Sequence, residues 1–293
     1  MTPIRLFALT AFAMTAFAAN SILCRLALAH TRIDPASFTS IRLVSGALTL
    51  WLIVRVQSKH KVSGGNWLSA GALFLYAAAF SFAYISLPAG IGALLLFGAV
   101  QVTMIAAGLR SGERLSMRQT SGVILALIGL VVLLRPGLTA PPLVGSILML
   151  IAGIAWGIYS LRGRNSGDPV VATAGNFLRA APIAIVLSLV LVMRTNLDPM
   201  GMLYALLSGA LTSGIGYVAW YAALRGMTAT HAAVVQLSVP VIAALGGIVF
   251  LSETLTLRLV LASLAILGGI ALAIARRNLP PDLSSVHVEG DAK

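Results

Sequence analysis

Three arginines interrupt otherwise apolar stretches of the chain: Arg25 near the end of the first stretch, Arg42 seven residues past Pro35, and Arg179 ten residues past Pro169. If the stretches are helices, a rise of ~1.5 Å per residue puts Arg42 about 10 Å and Arg179 about 15 Å along their axes. A charge at such depth in a bilayer faces the protein interior or a wet cavity rather than lipid. Two chemistries are open to each of these two residues. A guanidinium can hold the carboxylate of a bound molecule through a forked pair of hydrogen bonds, or it can tie down backbone carbonyls and helix ends. Arg25, within a turn of a span end, is expected to extend to the interface.

The acids are distributed in the opposite way. All eight, Asp34, Glu113, Asp168, Asp198, Glu253, Asp282, Glu289 and Asp291, fall in loops, helix ends or the C-terminal tail. Proton pumps and exporters of permanent cations commonly rely on an intramembrane Asp or Glu. If the chain moves molecules across a membrane, this placement predicts a facilitated or only weakly proton-coupled process and argues against quaternary ammonium cargo. His231, near a span end, is the one imidazole that could carry a proton, although a helix-end histidine in contact with water is the preferred reading. His30, His60, His231 and His287 are scattered, no acids pair at helical spacing, and no phosphate-binding loop is present. No catalytic group, metal site or cofactor is expected, and the protein does not read as an enzyme. The lone Cys24 excludes an internal disulfide.

Neutral side chains complete the candidate binding set. Asn20, Gln101 and Gln236 offer both donors and acceptors to neighbouring helices or to cargo. Trp156 and Tyr159 lie three residues apart, Tyr217 and Tyr221 four apart, so each pair shares a helix face, and Tyr76 is similar. Such groups suit an amphipathic organic molecule. Tyr84, Trp220, Trp51 and Trp67 lie nearer span ends, where the interfacial aromatic belt is the simpler expectation. Pro88 opens a span after a tight turn, Pro240 removes a backbone donor in mid-span, and Gly246 and Gly247 permit close helix approach. These four are the candidate gating and hinge positions.

The elements that must position these residues are read from composition. With 59% hydrophobic residues, 10% charged residues and a mean hydropathy of +0.97, the solvent for most of the chain is lipid. A bilayer core of ~30 Å needs roughly 20 apolar residues per helix. Ten runs qualify: 4–28, 35–54, 67–86, 88–109, 119–134, 141–162, 169–193, 199–224, 229–251 and 257–275. The first contains Ala16-Phe17-Ala18, which resembles a signal-peptidase site, but it continues apolar past that point and reads as an uncleaved span. The predicted fold class is all-α, a polytopic membrane protein. Most of the 20 Lys and Arg fall on the side shared with the N-terminus, and Arg32, Arg135, Arg194 and Arg258 on the other. Both termini are accordingly expected in the cytoplasm. The net charge of +12 is not clustered on a water-exposed domain, so no nucleic-acid partner is expected.

A second layer of order is a repeat. Residues 88–135 return at 228–275, displaced by 140 positions, with Glu113-x-Leu115-Ser116-x-Arg118 answering Glu253-x-Leu255-Thr256-x-Arg258, and Gly129 answering Gly269. Two halves follow: 1–137 with five spans, 138–275 with five more, and a disordered cytoplasmic tail at 276–293. An odd number of spans per half makes the repeat inverted, the usual architecture of alternating-access transporters, with the cargo site near mid-membrane.

The doubled Glu-x-Leu-[Ser/Thr] hinge, Asn20 in span one and Trp156-x-x-Tyr159 in span six together resemble the drug/metabolite transporter superfamily, EamA type. Within it the chain looks most similar to the YddG-like bacterial inner-membrane exporters of aromatic and other amino acids. Span one departs from the family's Trp-Gly-x-Asn, reading Phe17-Ala18-Ala19-Asn20, whereas Trp156-Gly157 retains the pattern. The resemblance implies a central cavity lined by spans one to four and six to nine, with five and ten outside. It implies a multi-pass protein of the inner membrane that exports neutral amino acids or similar small metabolites, with lipid as its surroundings and a monomer as the simplest state. Export of a nucleoside, a sugar derivative or a drug is the alternative cargo class, and a non-transporting membrane scaffold the alternative function.

Overall fold

The computed structural model describes residues 2–57, 64–110, 112, 115–137, 140–163, 168–227 and 229–274, with backbone alone at 229–231 and 233. The Glu113 hinge residue, the tail 276–293 and the His231 side chain lie outside the described residues. Ten helices long and apolar enough to cross a membrane are found. They are α1 (Pro3–His30), α2 (Pro35–Gln57), α3 (Trp67–Tyr84), α4 (Ala89–Arg110), α5 (Met117–Leu134), α6 (Leu143–Gly163), α7 (Pro169–Val190), α8 (Pro199–Leu224), α9 (Ala229–Gln236 continued by Ser238–Leu251) and α10 (Leu257–Ile274).

Local sequence explains where they start. Thr2, Asp34, Asp168 and Asp198 each precede a proline that opens a helix, and their side chains accept hydrogen bonds from first-turn amides. The proline has no amide hydrogen to leave unsatisfied there, and the cap satisfies the next ones. Asp34 does more: its second oxygen accepts from the Asn196 amide at 3.0 Å, which fastens the start of α2 to the turn before α8. A reciprocal Ser116–Gln119 capping box opens α5.

Two helices are irregular. Ser208–Ile215, in the middle of α8, is π-helical. The break in α9 falls at Leu237, because Pro240 has no amide hydrogen for the Gln236 carbonyl and its ring crowds that carbonyl. The kink expected at Pro240 thus appears three residues upstream.

The main packing pairs are α5 with α10, α1 with α8, α3 with α6, α2 with α8, α2 with α7, α4 with α6, α1 with α9, α4 with α9, and α3 with α7. Exchanging each helix with the one five places along maps this set onto itself. Helices α5 and α10 pack chiefly on each other, with Gly122 against Gly269 and Ala273 and Gly129 against Ala265 and Ile266, and meet the rest mainly through α4. The other eight enclose the centre. Large exposed side chains such as Ile128, Val131, Leu245, Val249 and Phe250 face outward, the arrangement of a bundle whose solvent is hydrocarbon.

Candidate functional site

Near the middle of the bundle a hydrogen-bonded chain crosses four helices. The Ser208 hydroxyl donates to Asn20 Oδ1 at 2.6 Å and the Thr212 hydroxyl to the same oxygen at 3.3 Å. Asn20 Nδ2 donates to the Tyr76 hydroxyl oxygen at 3.3 Å, and Arg42 Nη2 donates to that oxygen at 2.9 Å. The π-helical widening of α8 brings its two hydroxyls onto one acceptor; π-bulges of this kind are frequent at functional sites. Gly209 lets that segment approach α2 closely, since a Cβ there would collide with Ser45 and with the Arg42 carbonyl.

Aromatic rings surround the chain. Trp156 lies 4.9 Å from Tyr76, 5.2 Å from Tyr217 and 5.4 Å from Tyr159, the last stacked at 29°. Phe17 meets Tyr217 edge-on, and Phe80 packs on Tyr76. The chamber they leave has a volume of about 20 Å³, room for about one water molecule. The cluster is therefore closed around itself, and any organic occupant requires the helices to part.

Arg42 stands at the edge of this cluster, 1% exposed. Its guanidinium carbon is 5.1 Å from the Tyr76 ring centre and 4.9 Å from that of Phe80. Nε and Nη1 have no hydrogen-bond partner. Arg179 is placed otherwise: its Nη1 donates to the carbonyls of Gly64 and Gly175, both at 2.8 Å, and so anchors the α2–α3 loop on α7.

Of the other residues singled out from sequence, Tyr159 and Tyr221 line a separate cavity of about 90 Å³ toward the end of the bundle where α3 and α7 begin. There Arg162 donates to Ser69 and Asn66, and Asn176 Nδ2 donates to the Tyr159 hydroxyl. Gln101 is buried within α4 and Gln236 is half-buried at the α9 break, neither among the chamber's lining residues. Tyr84 and Trp220, expected in the interfacial belt, are instead 0% and 7% exposed. The Tyr84 hydroxyl donates to the Ala89 carbonyl, and Trp220 meets Phe17 edge-on.

A cavity of about 540 Å³ forms a vestibule at the opposite end of the bundle, bordered by Arg25, His30, Pro88, Ser252 and Glu253. Arg25 is tied down there. Its Nη1 donates to the carbonyls of Tyr84 and Ile85 at 3.0 and 2.8 Å, and its Nε lies 3.7 Å from Glu253 Oε1. Both Glu253 oxygens accept from the Ala89 amide at 2.9 Å, so the turn between α9 and α10 caps the first turn of α4. Two backbone features permit this. Ser252 adopts a left-handed conformation (φ 53°) that ends α9, and a Cβ at Gly247 would occupy the place of the carboxylate. Gly246 similarly admits Ile22 of α1. Burial pushes the Glu253 carboxyl above its usual range, against the lowering effect of the Ala89 and Gly90 amides, Arg25 and His30.

Sequence reasoning missed Phe17, Phe80, Ser208, Thr212 and the Arg25–Glu253 contact as parts of these sites. The four-residue spacing of the two hydroxyls among Gly209, Gly214 and Gly216 was the available signal for the α8 segment.

Comparison with known proteins gives a consistent picture. The profile of the EamA-like transporter family matches residues 5–135 and again 143–275. An uncharacterized protein of Pseudomonas aeruginosa is 56% identical over 274 residues, covering 93% of this chain and 96% of that protein. The uncharacterized transporter YoaV of Bacillus subtilis is 23% identical over 252 residues, 81% of this chain and 86% of its own. The threonine/homoserine exporter RhtA of Salmonella typhimurium is 32% identical over 178 residues, 57% of this chain and 58% of the exporter. A solved crystal structure superposes with a TM-score of 0.65 at 19% identity, over 93% of this chain and 98% of that one, which shows the fold alone.

Proposed function

The chain belongs to the EamA-like transporter family, and on that premise we propose that it exports amino acids or similar small metabolites across the bacterial inner membrane by alternating access. The observation that carries this reading is the closed central cluster. Asn20, Tyr76, Ser208, Thr212 and Arg42 form a polar chain at mid-membrane, and Trp156, Tyr217, Phe17 and Phe80 wall it with rings. Polar donors suit the carboxylate of a zwitterion, and the rings suit its side chain and its ammonium.

Several features support the mechanism. The family profile matches twice, once in each half, and the main packing pairs are preserved when the halves are exchanged. We read residues 1–137 and 138–275 as inverted five-helix repeats, with both termini cytoplasmic by the distribution of Lys and Arg. The Glu253 cap on α4 joins the halves at the vestibule, which this orientation places outside. No acid lies inside a span, which favours facilitated over strongly proton-coupled export. Amino acids are put first because a relative, if a distant one, is a threonine/homoserine exporter.

The test is efflux of labelled threonine and phenylalanine from liposomes containing the pure protein, with and without a pH gradient. Saturable flux that equilibrates rather than accumulates supports facilitated export. Gradient-driven accumulation would refute the facilitated mechanism, and absence of flux for every amino acid tried would refute the cargo class.

A further inference from the structure

We propose that Arg42 is the anion half of the cargo site, so that transported molecules must carry a carboxylate or an equivalent planar anion. The inference deepens the export reading and rests on it for the location of the site.

A guanidinium has five N–H donors in a fixed fork. In Arg42, Nη2 donates to Tyr76, while Nε and Nη1 are fully buried without a partner. Buried charges in proteins are ordinarily paired, because an uncompensated one is strongly destabilising. Among the described residues Arg42 has no such pair. Asp34, Asp168 and Asp198 cap helix starts and Glu253 caps α4. Glu113, Asp282, Glu289 and Asp291 lie outside every span in the sequence. Backbone carbonyls, which absorb Arg25 and Arg179, are not used by Arg42. What faces the guanidinium instead is the pair of rings of Tyr76 and Phe80, both of which line the central chamber. The rings supply partial compensation and leave Nε and Nη1 unclaimed. Each fork edge of the guanidinium joins one of these nitrogens to Nη2, whose two hydrogens serve one edge each; with one hydrogen given to Tyr76, the other edge is matched by an oxygen pair spaced as in a carboxylate. The counter-charge is therefore supplied by the cargo, and Tyr76, hydrogen-bonded to both Arg42 and Asn20, is the side chain that must shift as the carboxylate enters.

A neutral analogue of the same shape leaves the guanidinium unpaired, so it is rejected by more than the loss of one contact. The experiment measures thermal stabilisation of the purified full-length protein by threonine and phenylalanine, by their amides, and by phenethylamine, and pairs it with competition by the same compounds in liposome efflux. Wild type is expected to bind the acids at least about tenfold more tightly than the amides. In Arg42→Gln that preference should fall to within about twofold, and Arg42→Lys should restore part of it as a point charge. Equal binding of acid and amide by the wild type would overturn the proposal without any variant. So would an unchanged preference in a folded Arg42→Gln protein. If amino acids prove not to be cargo, the same stabilisation assay with acetate, benzoate and their amides decides the point. Carboxylate stabilisation that vanishes in Arg42→Gln would uphold the anion site while refuting amino-acid export, and indifference to carboxylates would refute the anion site itself.

Discussion

Glu253 offers a quantitative test, because two substitutions remove its charge and only one removes its hydrogen bond. In the structure both oxygens accept from the Ala89 amide, the Gly90 amide also favours the charged form, and Arg25 Nε stands at 3.7 Å, too far for a hydrogen bond. Replacing Glu253 by Ala strips the cap from α4, a loss of about 1–2 kcal/mol on the scale of other caps. Replacing it by Gln keeps a carbonyl oxygen for the Ala89 amide. The Gln variant forgoes the attraction to Arg25, about 0.2–1 kcal/mol for a pair partly open to water, but no longer half-buries a charge. The raised carboxyl pKa says that burial outweighs the favourable contacts, so Glu253→Gln should be close to neutral near pH 7 while Glu253→Ala melts lower by a few degrees. The pH dependence has a definite sign. A carboxyl whose pKa in the folded, closed protein lies above its ordinary 4.5 binds a proton more readily there than in water. Acid therefore stabilises this closed arrangement: the contribution is complete below 4.5 and disappears as pH rises through the raised value. Thermal unfolding in nanodiscs, scanned downward from pH 7.5 to about 4.5, should show wild type gaining on Glu253→Gln. His30 and Arg25, which face the carboxyl across the vestibule, are common to both proteins, as are Asp34 and Asp198. Burial pushes Asp34 up, but amide and Ser37 hydrogen bonds outweigh it. The Gly201 amide holds Asp198 down, so both acids titrate below 3.8 and outside the window. Equal destabilisation by Gln and Ala at neutral pH, or a wild-type advantage that shrinks on acidification, would refute this account of the cap.

Other outcomes follow from the same contacts. Asn20→Ala removes the shared partner of Ser208, Thr212 and Tyr76. At ~0.6 kcal/mol for each intramembrane bond, a loss near 2 kcal/mol is expected in unfolding, together with a sharp fall in efflux. Gly122→Ala puts a Cβ 2.5 Å from the Gly269 carbonyl oxygen, a backbone atom that cannot swing away; stability should drop by about 1–3 kcal/mol with KM unchanged, since α5 lies outside the central cluster. Arg179→Gln frees the Gly64 and Gly175 carbonyls and should lower the melting temperature without altering acid-over-amide preference, the opposite profile to Arg42→Gln.

The number of spans and most of their starts were legible in the sequence because apolar runs of bilayer length are a local signal, and three of the starts also carry an Asp-Pro cap. The fate of individual polar side chains was not. Arg42 and Arg179 look alike in sequence, each a lone cation inside an apolar run. Their difference arises because Gly64, more than a hundred residues away from Arg179, brings a carbonyl to it, whereas rings face Arg42. Tyr84 and Trp220 were placed by nearness to a span end, but burial depends on which face of the helix meets its neighbour. The α8 π-segment left no mark in hydropathy, since a π-turn changes hydrogen bonding and not the run of apolar residues. The Glu253 cap needed both a positive φ at Ser252 and a missing Cβ at Gly247, a coincidence that no motif announces.

The placement of charge also bears on how a zwitterion could be released after it is bound. Acids confined to helix ends and a cation at mid-membrane make the interior electropositive, a barrier to cationic cargo and an attraction for the carboxylate end of a neutral amino acid. Under the proposed export of amino acids, its ammonium would face the electron-rich rings of Trp156, Tyr76 and Tyr217, which hold a cation less firmly than a carboxylate would. An acid in that position would bind the ammonium tightly and add a proton to the cycle. Rings and a partly compensated arginine instead leave a shallow well, because Tyr76 and Phe80 already offset part of the Arg42 charge when the site is empty. For an exporter working down a gradient this matters, since binding beyond what is needed for selection slows release and lowers turnover. Substituting Trp156 by Glu should therefore tighten ammonium binding, slow efflux and make the remaining flux pH-dependent; faster efflux, or flux indifferent to pH, would show that the ammonium end does not rest on that ring.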